Sequence, residues 1–218
     1  IRASTAEQLE AIIRASIDVD PYENKAERYR GNFIAEGLER LFFFCPKCHN
    51  HHVLESRDDR LFCKNCDFEG HYDESGHFTI DKKPYQLHEI ARPMIDDYEK
   101  YVLAHINENF SEDVDIKVCW GNKRRHYYAA CTFGLSRDGI TIVGKKVDFT
   151  IPYSDLRGYG CQQKRKIVLY SYSLPTIIIK MKPKVSIYQY YITIKIFENI
   201  KRKGINNYVP LTHRELGF

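Results

Sequence analysis

Residues 45–66 read CPKCHNHHVLESRDDRLFCKNC. Two Cys-x-x-Cys pairs, Cys45/Cys48 and Cys63/Cys66, stand 14 residues apart. That is the spacing of a zinc ribbon. Each Cys-x-x-Cys turn brings two thiolates to one side of a tight knuckle. Two knuckles on adjacent hairpins then supply four sulfurs in tetrahedral geometry, about 2.3 Å from the metal. Four thiolates fill the coordination sphere, so the expected ion is structural Zn2+; a catalytic zinc keeps one position open. A unit this small has no core of its own, so metal binding supplies on the order of 10 kcal/mol of its folding free energy. A redox pair expects one Cys-x-x-Cys at a βαβ turn, a context missing here. Disulfides need an oxidising compartment, and the N-terminal IRASTAEQLEAII reads as a capped amphipathic helix, not a secretory signal. His49, His51 and His52 are then expected as exposed loop residues. Cys119, Cys131 and Cys161, in apolar strand-like settings, are expected as small buried hydrophobes.

Outward from the cluster, the chain alternates helical and strand patterns. Ser4 or Thr5 can cap the first helix, with Ser4 and Glu7 as a capping box, and Leu9, Ile12, Ile13 and Ile17 share one face. It stops before Asp20-Pro21. A second helix is expected from about Tyr22 to Arg30. NFIAEGLERLFFF then leads to Cys45, with Phe33, Ile34, Leu38 and Leu41 as its apolar side. HHVLES, RLFC and GHFTI read as short strands. Residues 85–109 read as a helix, which Pro93 should kink or split, and 111–115 as a linker. From Ile116 the chain is rich in Tyr, Ile, Val, Thr and Phe. Turn signals at Arg137-Asp138-Gly139, Gly144-Lys145-Lys146 and Gly158–Gly160 predict an antiparallel meander or barrel. Ile187, Tyr190, Tyr191, Ile194, Phe197 and Ile200 form one face of a last helix, with Lys201, Arg202 and Lys203 in its final turn before Gly204. The expected class is α+β: N-terminal helices (1–40), a small rubredoxin-like or zinc-ribbon unit (41–82), a linking helix (83–112), and a basic β domain closed by a C-terminal helix (113–218).

Charge follows the same division. Residues 1–110 hold 14 basic and 21 acidic side chains, and residues 111–218 hold 19 and 8. Such asymmetry points to a basic surface for an anionic partner, or for the acidic half itself. The candidate contacts are Lys123, Arg124, Arg125, Lys145, Lys146, Lys164, Arg165 and Lys166, mostly in predicted turns. Hydrophobic residues at 43% and charged residues at 28% are ordinary for a globular chain. No apolar run approaches the about 20 residues of a membrane-spanning helix. The chain does not begin with Met, and its first residues read as the interior of a longer polypeptide.

The segment from Ser4 to Phe78, with IDVDPYEN, YRGNFIAEGLERLFFFCPKC and CKNCDFEGHYDESGHF, resembles the extension that follows the catalytic domain in clostridial 1-acylglycerol-3-phosphate (lysophosphatidate) acyltransferase-like proteins. The basic half resembles a pleckstrin-homology-like (PH-like) or GRAM-like barrel. The acyltransferase resemblance implies a His-x-x-x-x-Asp motif, with His as general base. Here His105 is followed at that distance by Phe110, and His126 by Cys131. The family's phosphate-binding Phe-Pro-Glu-Gly-Thr-Arg-Ser is only echoed, in AEGLER at 35–40 and GLSRDG at 134–139. No catalytic residue is therefore assigned. The resemblance implies a catalytic domain upstream of Ile1.

The expected function is thus a non-catalytic C-terminal region of a bacterial phospholipid-biosynthesis acyltransferase-like protein. Its zinc ribbon would join the enzyme to a basic module for an anionic membrane lipid surface, each cation adding about 1 kcal/mol there. The expected location is cytoplasmic, peripheral at the inner face of the membrane. Two alternatives stand beside it. A nucleic-acid-binding module is suggested by KRRHYY at 123–128, but the acidic ribbon half opposes it. A protein-interaction module would use the opposite charges of the two halves.

Overall fold

A computed structural model describes residues 5–17, 28, 30–121, 124–163 and 165–212. Helix α1 (Ala6–Ile17) is capped by Thr5. The Thr5 hydroxyl accepts from the Gln8 amide at 3.3 Å, and Gln8 Oε1 accepts from the Thr5 amide at 3.0 Å. This is a capping box one residue later than expected; Ser4 lies outside the described residues. Leu9, Ile12 and Ile13 share one face as expected, but that face is exposed. The second expected helix falls almost wholly outside the described residues. The run before the cysteines is not a long helix. It makes turns and a single 3-10 turn, Leu38–Arg40, entered through Gly37 at φ 97°. Phe33 is exposed, while Phe42, Phe43 and Phe44 are buried.

Five short strands follow: β1 (Leu54–Arg57), β2 (Arg60–Cys63), β3 (Glu69–Tyr72), β4 (Phe78–Ile80) and β5 (Lys83–Tyr85). They form an antiparallel sheet in sequence order. Asp58 makes the β1–β2 turn at φ 55°, a left-handed geometry that Asp tolerates better than most residues. Gly70 faces Phe78 so closely that a Cβ would stand 2.3 Å from its ring. That glycine lets the fully buried Phe78 lie flat on β3.

Helix α2 (Leu87–Ala104) starts with a capping box between Gln86 and Glu89 and runs unbroken through Pro93. The helix is not split there. The proline ring is on the solvent side, and the carbonyl it leaves unpaired belongs to exposed Glu89, within reach of water. Ile90, Ala91, Met94, Ile95, Tyr98 and Val102 bury the opposite face.

The second half is one curled antiparallel sheet closed by a helix. Its strands are β6 (Phe110–Trp120), β7 (Arg124–Ser136), β8 (Gly139–Gly144), β9 (Val147–Pro152), β10 (Leu156–Gln162), β11 (Lys166–Ser171) and β12 (Thr176–Met181). Their order is β10-β11-β12-β6-β7-β8-β9, a half-barrel joined where the first and last strands of the series meet. Val114, Ile116 and Val118 of β6 and Ile177, Ile179 and Met181 of β12 point into the core by strict alternation. Two expectations are corrected here. Residues 111–115 belong to the start of β6 and pair with β7 and, from Val114, with β12; Asp113 and Asp115 point outward on either side of buried Val114, while Glu112 is half-buried beside the Tyr190 hydroxyl. Gly158 and Gly160 are not a turn but part of the edge strand β10, beside an irregularity in register at Leu156–Gly158.

Helix α3 (Ile187–Lys203) closes the half-barrel. Ile192, Thr193 and Ile196 are buried in addition to the expected stripe, because α2 covers a side that the sheet does not. Its cap joins the two halves: Ser186 Oγ accepts from the Gln189 amide at 3.1 Å and donates to the Arg40 carbonyl. Tyr98 adds a second joint. Its ring stands edge-on to Phe43 at 4.9 Å, and its hydroxyl bonds Thr193 Oγ1 at 2.8 Å. At the surface, Glu55 of β1 pairs with Lys64 at 2.7 Å and Lys184 at 2.8 Å. These two lysines hold its carboxyl down at about 2. One continuous core therefore runs from Phe42 to Leu211.

Replacing Ser186 by Ala removes the helix cap and the link to Arg40. Stability should fall by about 1–2 kcal/mol, read by chemical denaturation. Glu99 of α2 supplies a pH signature. It is buried and accepts from the Tyr208 hydroxyl at 3.0 Å and the Leu211 amide at 2.9 Å. Burial raises its pKa above the ordinary 4.5. Its contribution is then full below that ordinary value and is lost as pH rises through the raised one. Glu99→Gln keeps an acceptor but cannot ionise, so the variant should gain on the parent chain as pH rises above 4.5. Denaturation across that range checks it.

Candidate metal centre and basic groove

The first knuckle follows buried Phe44. The Cys45 amide donates to the Asn50 carbonyl at 3.0 Å, and the His49 amide donates to the Cys45 carbonyl at 3.0 Å. His49 takes φ 55° to close the turn. The second knuckle follows β2, where the Cys63 amide donates to the Phe68 carbonyl at 2.9 Å. The Lys64 amide reaches back to the Val53 carbonyl at 2.9 Å, and Lys47 pairs with Asp67 at 2.8 Å, so the knuckles are tied to each other.

The four sulfurs lie within 4.8 Å of one another. Cys45 Sγ is 3.6 Å from Cys66 Sγ, and Cys48 Sγ is 3.7 Å from Cys63 Sγ. A disulfide needs about 2.05 Å. A tetrahedral site with metal–sulfur bonds of about 2.3 Å has sulfur–sulfur edges of about 3.8 Å, so the spacing fits coordination. Amide groups point at the sulfurs as they would at thiolates: Cys48 to Cys45 at 3.5 Å and Asn65 to Cys63 at 3.3 Å. The Asn50 backbone amide pulls the Cys48 thiol down to about 7, while burial pushes Cys45 up to about 12. Four sulfurs at these separations can hold a metal ion and would leave it no open position.

Among the described residues, no histidine joins this cluster. His49 is exposed, 3.8 Å from Asp97, and His52 is exposed too. His51 is not the exposed loop residue expected. It packs against Phe44 and Tyr101, each at 4.7 Å, and burial pushes its pKa down to about 4. The expected burial holds for Cys131, only partly for Cys119, and not for Cys161, which is exposed on edge strand β10. Ser75 Oγ lies 2.9 Å from His77 Nδ1, yet Asp73 accepts from Ser75 and from the His77 amide. That is a side-chain-closed turn between β3 and β4, not a relay through the imidazole.

The basic candidates occupy three turns. Lys145 and Lys146 tip the β8–β9 hairpin. Arg165 and Lys166 stand at the β10–β11 turn. The backbone of Arg124 and all of Arg125 lie at the far end of the β6–β7 hairpin. Lys123 and Lys164 fall outside the described residues. Of the candidates whose side chains are described, Arg165 and Lys166 enter a shared cavity. It is a groove of about 730 Å³ on the outer face of the sheet, where they meet Lys117, Lys180, Tyr127 and Ile178. Lys117 lies over the Tyr127 ring at 5.4 Å. The groove holds one carboxylate, Asp115, which accepts from the Ala130 amide at 3.3 Å. The sequence reading passed over Lys117 and Lys180. Each is a lone cation alternating with buried Ile116, Val118, Ile179 and Met181, which marks an outward position. Their convergence depends on strand register.

Among the described residues, no helix is long and apolar enough to cross a membrane. No protein-family model matches the sequence, and no curated protein matches it. A solved structure similar to part of the chain is the N-terminal PH domain of human ARAP2, with TM-score 0.33 and 12% identity over 48% of this chain and 89% of that one.

Replacing Cys63 by Ser removes one sulfur from the cluster. Bound metal should fall well below one ion per chain, read by elemental mass spectrometry. Because Phe42–Phe44 sit between the knuckle and α2, thermal unfolding should also shift downward.

Proposed function

We propose that this chain is a non-catalytic, zinc-stabilised accessory region that docks on an anionic lipid surface. The observation that carries the reading is the groove lined by Lys117, Arg165, Lys166 and Lys180. Four cations around one partly apolar depression favour multivalent anionic headgroups, each cation contributing about 1 kcal/mol near such a surface. Seven antiparallel strands followed by a closing helix support a PH-like reading of the basic half. The all-sulfur ligand set favours zinc over harder cations. The resemblance of residues 4–78 to the extension of lysophosphatidate acyltransferase-like proteins supports an upstream acyltransferase domain as the partner in the same polypeptide. That domain would supply the chemistry, since this chain lacks the His-x-x-x-x-Asp pair. In this reading the ribbon is a rigid scaffold. It joins a phospholipid-synthesising enzyme to a module that keeps it at the inner face of the membrane.

Co-sedimentation with vesicles tests the docking. Vesicles containing anionic phospholipid should retain the chain, neutral phosphatidylcholine vesicles should not, and rising salt should release it. The double reversal Lys117→Glu/Lys180→Glu should abolish retention while the bound zinc stays at one per chain. Equal retention by neutral and anionic vesicles sinks the membrane reading. A salt-sensitive shift of single-stranded DNA in place of vesicle binding would favour the nucleic-acid alternative.

A further inference from the structure

The β6–β7 hairpin reaches beyond the rest of the sheet. β7 pairs with β6 from Arg124 onward, but β8 joins it only from Thr132 to Ser136. Along 124–131 the side of β7 turned away from β6 has no strand beside it among the described residues. Arg125, His126, Tyr127, Ala129 and Ala130 are exposed there. An irregularity in the pairing opposite Val114–Ile116 closes the base of this edge. Ala130 turns to φ 52°, and its amide is taken up by Asp115. What remains is a short straight run, 124–128, in which every second residue directs an N–H and a C=O outward.

Its surroundings are cationic. Arg125 lies on the run itself. At its base Gly144 packs on Cys131 so closely that a Cβ would stand 2.6 Å from the sulfur. That contact seats the hairpin tip Lys145-Lys146 beside the edge, and both lysines are exposed. Tyr127 is 71% exposed, with Lys117 over its ring at 5.4 Å.

We propose that this edge is a protein-interaction surface that takes an extended acidic segment of a partner as an additional strand. The edge presents donors and acceptors in alternation. A phosphate or lipid headgroup offers acceptors only, whereas another backbone satisfies both. The flanking arginine and lysines select acidic side chains at the added strand's outward positions. The same cations oppose pairing with a second copy, because two such edges would bring like charges together. This edge adjoins the groove, which Tyr127, Tyr128 and Ala129 also line, but it binds through the backbone of 124–128 and not through the groove's lysines, so it extends the membrane reading without depending on it.

The test uses the full chain and two synthetic peptides of alternating Glu and Val, one with an ordinary backbone and one N-methylated at alternate residues. Binding is read by fluorescence anisotropy, and its position by amide hydrogen exchange. The ordinary peptide should bind and slow exchange within 125–128. The N-methylated peptide, with equal charge but fewer donors, should bind at least about tenfold more weakly. Arg125→Glu/Lys145→Glu should also weaken binding about tenfold, with circular dichroism and metal content unchanged as the check on folding. Equal binding of the two peptides would reduce the interaction to charge and overturn the strand proposal. Protection elsewhere, or no binding, would overturn it as well. Concentration-dependent self-association that protects the same amides without peptide would assign the edge to a second copy instead. Vesicle retention through the groove is scored separately, so either reading can fail alone.

Discussion

Tyr98 is the joint on which the two halves of this protein depend. Its ring is fully buried against Phe43, just ahead of the first cysteine knuckle, and its hydroxyl is bonded to Thr193 in the middle of α3. A buried phenol needs such a partner, because leaving the hydroxyl unpaired costs on the order of 1–3 kcal/mol. The bond ties α2 to α3, and the contact with Phe43 ties the cysteine unit to both helices. Ser186 and Arg40 repeat the connection a short distance away.

The cysteine unit and the helices share one economy. Five strands of three or four residues cannot form a stable core alone. They borrow one by sending Phe42, Phe43 and Phe44 toward α2 and by gathering four sulfurs at coordination distance. The knuckles hold the phenylalanines in place, and the phenylalanines hold α2. Local ligand geometry thereby reaches the packing of α3, far along the chain.

The curled sheet then separates the basic side chains. Alternation sends Lys117 and Lys180 outward from strands whose other face is buried, and register sets them beside Arg165 and Lys166. Lys145, Lys146 and Arg125 belong to another rim. One net positive half therefore presents two different surfaces: a groove of side-chain cations, and a strand edge of backbone donors and acceptors flanked by cations.

The four cysteines, the strand-rich character of the second half and the boundaries of α3 were legible in the sequence. Each is decided by composition or spacing within a few residues: a two-residue knuckle, β-branched and aromatic runs between turn signals, a stripe of i, i+3 and i+4. Residues 111–115 misread as a linker because three acidic residues surround a single apolar one, Val114, whose burial depends on strands distant in the chain. Gly158 and Gly160 misread as a turn because an edge strand tolerates glycine without announcing it. Pro93 passed through its helix because burial of the opposite face outweighed one lost hydrogen bond. His51 was half-buried by Tyr101, which lies on α2. Which cations share a groove, which stretch of β7 stays unpaired, and which ring joins the halves depended on contacts between residues distant in the chain. Local spacing carries no record of those contacts, and only the packed tertiary structure decided them.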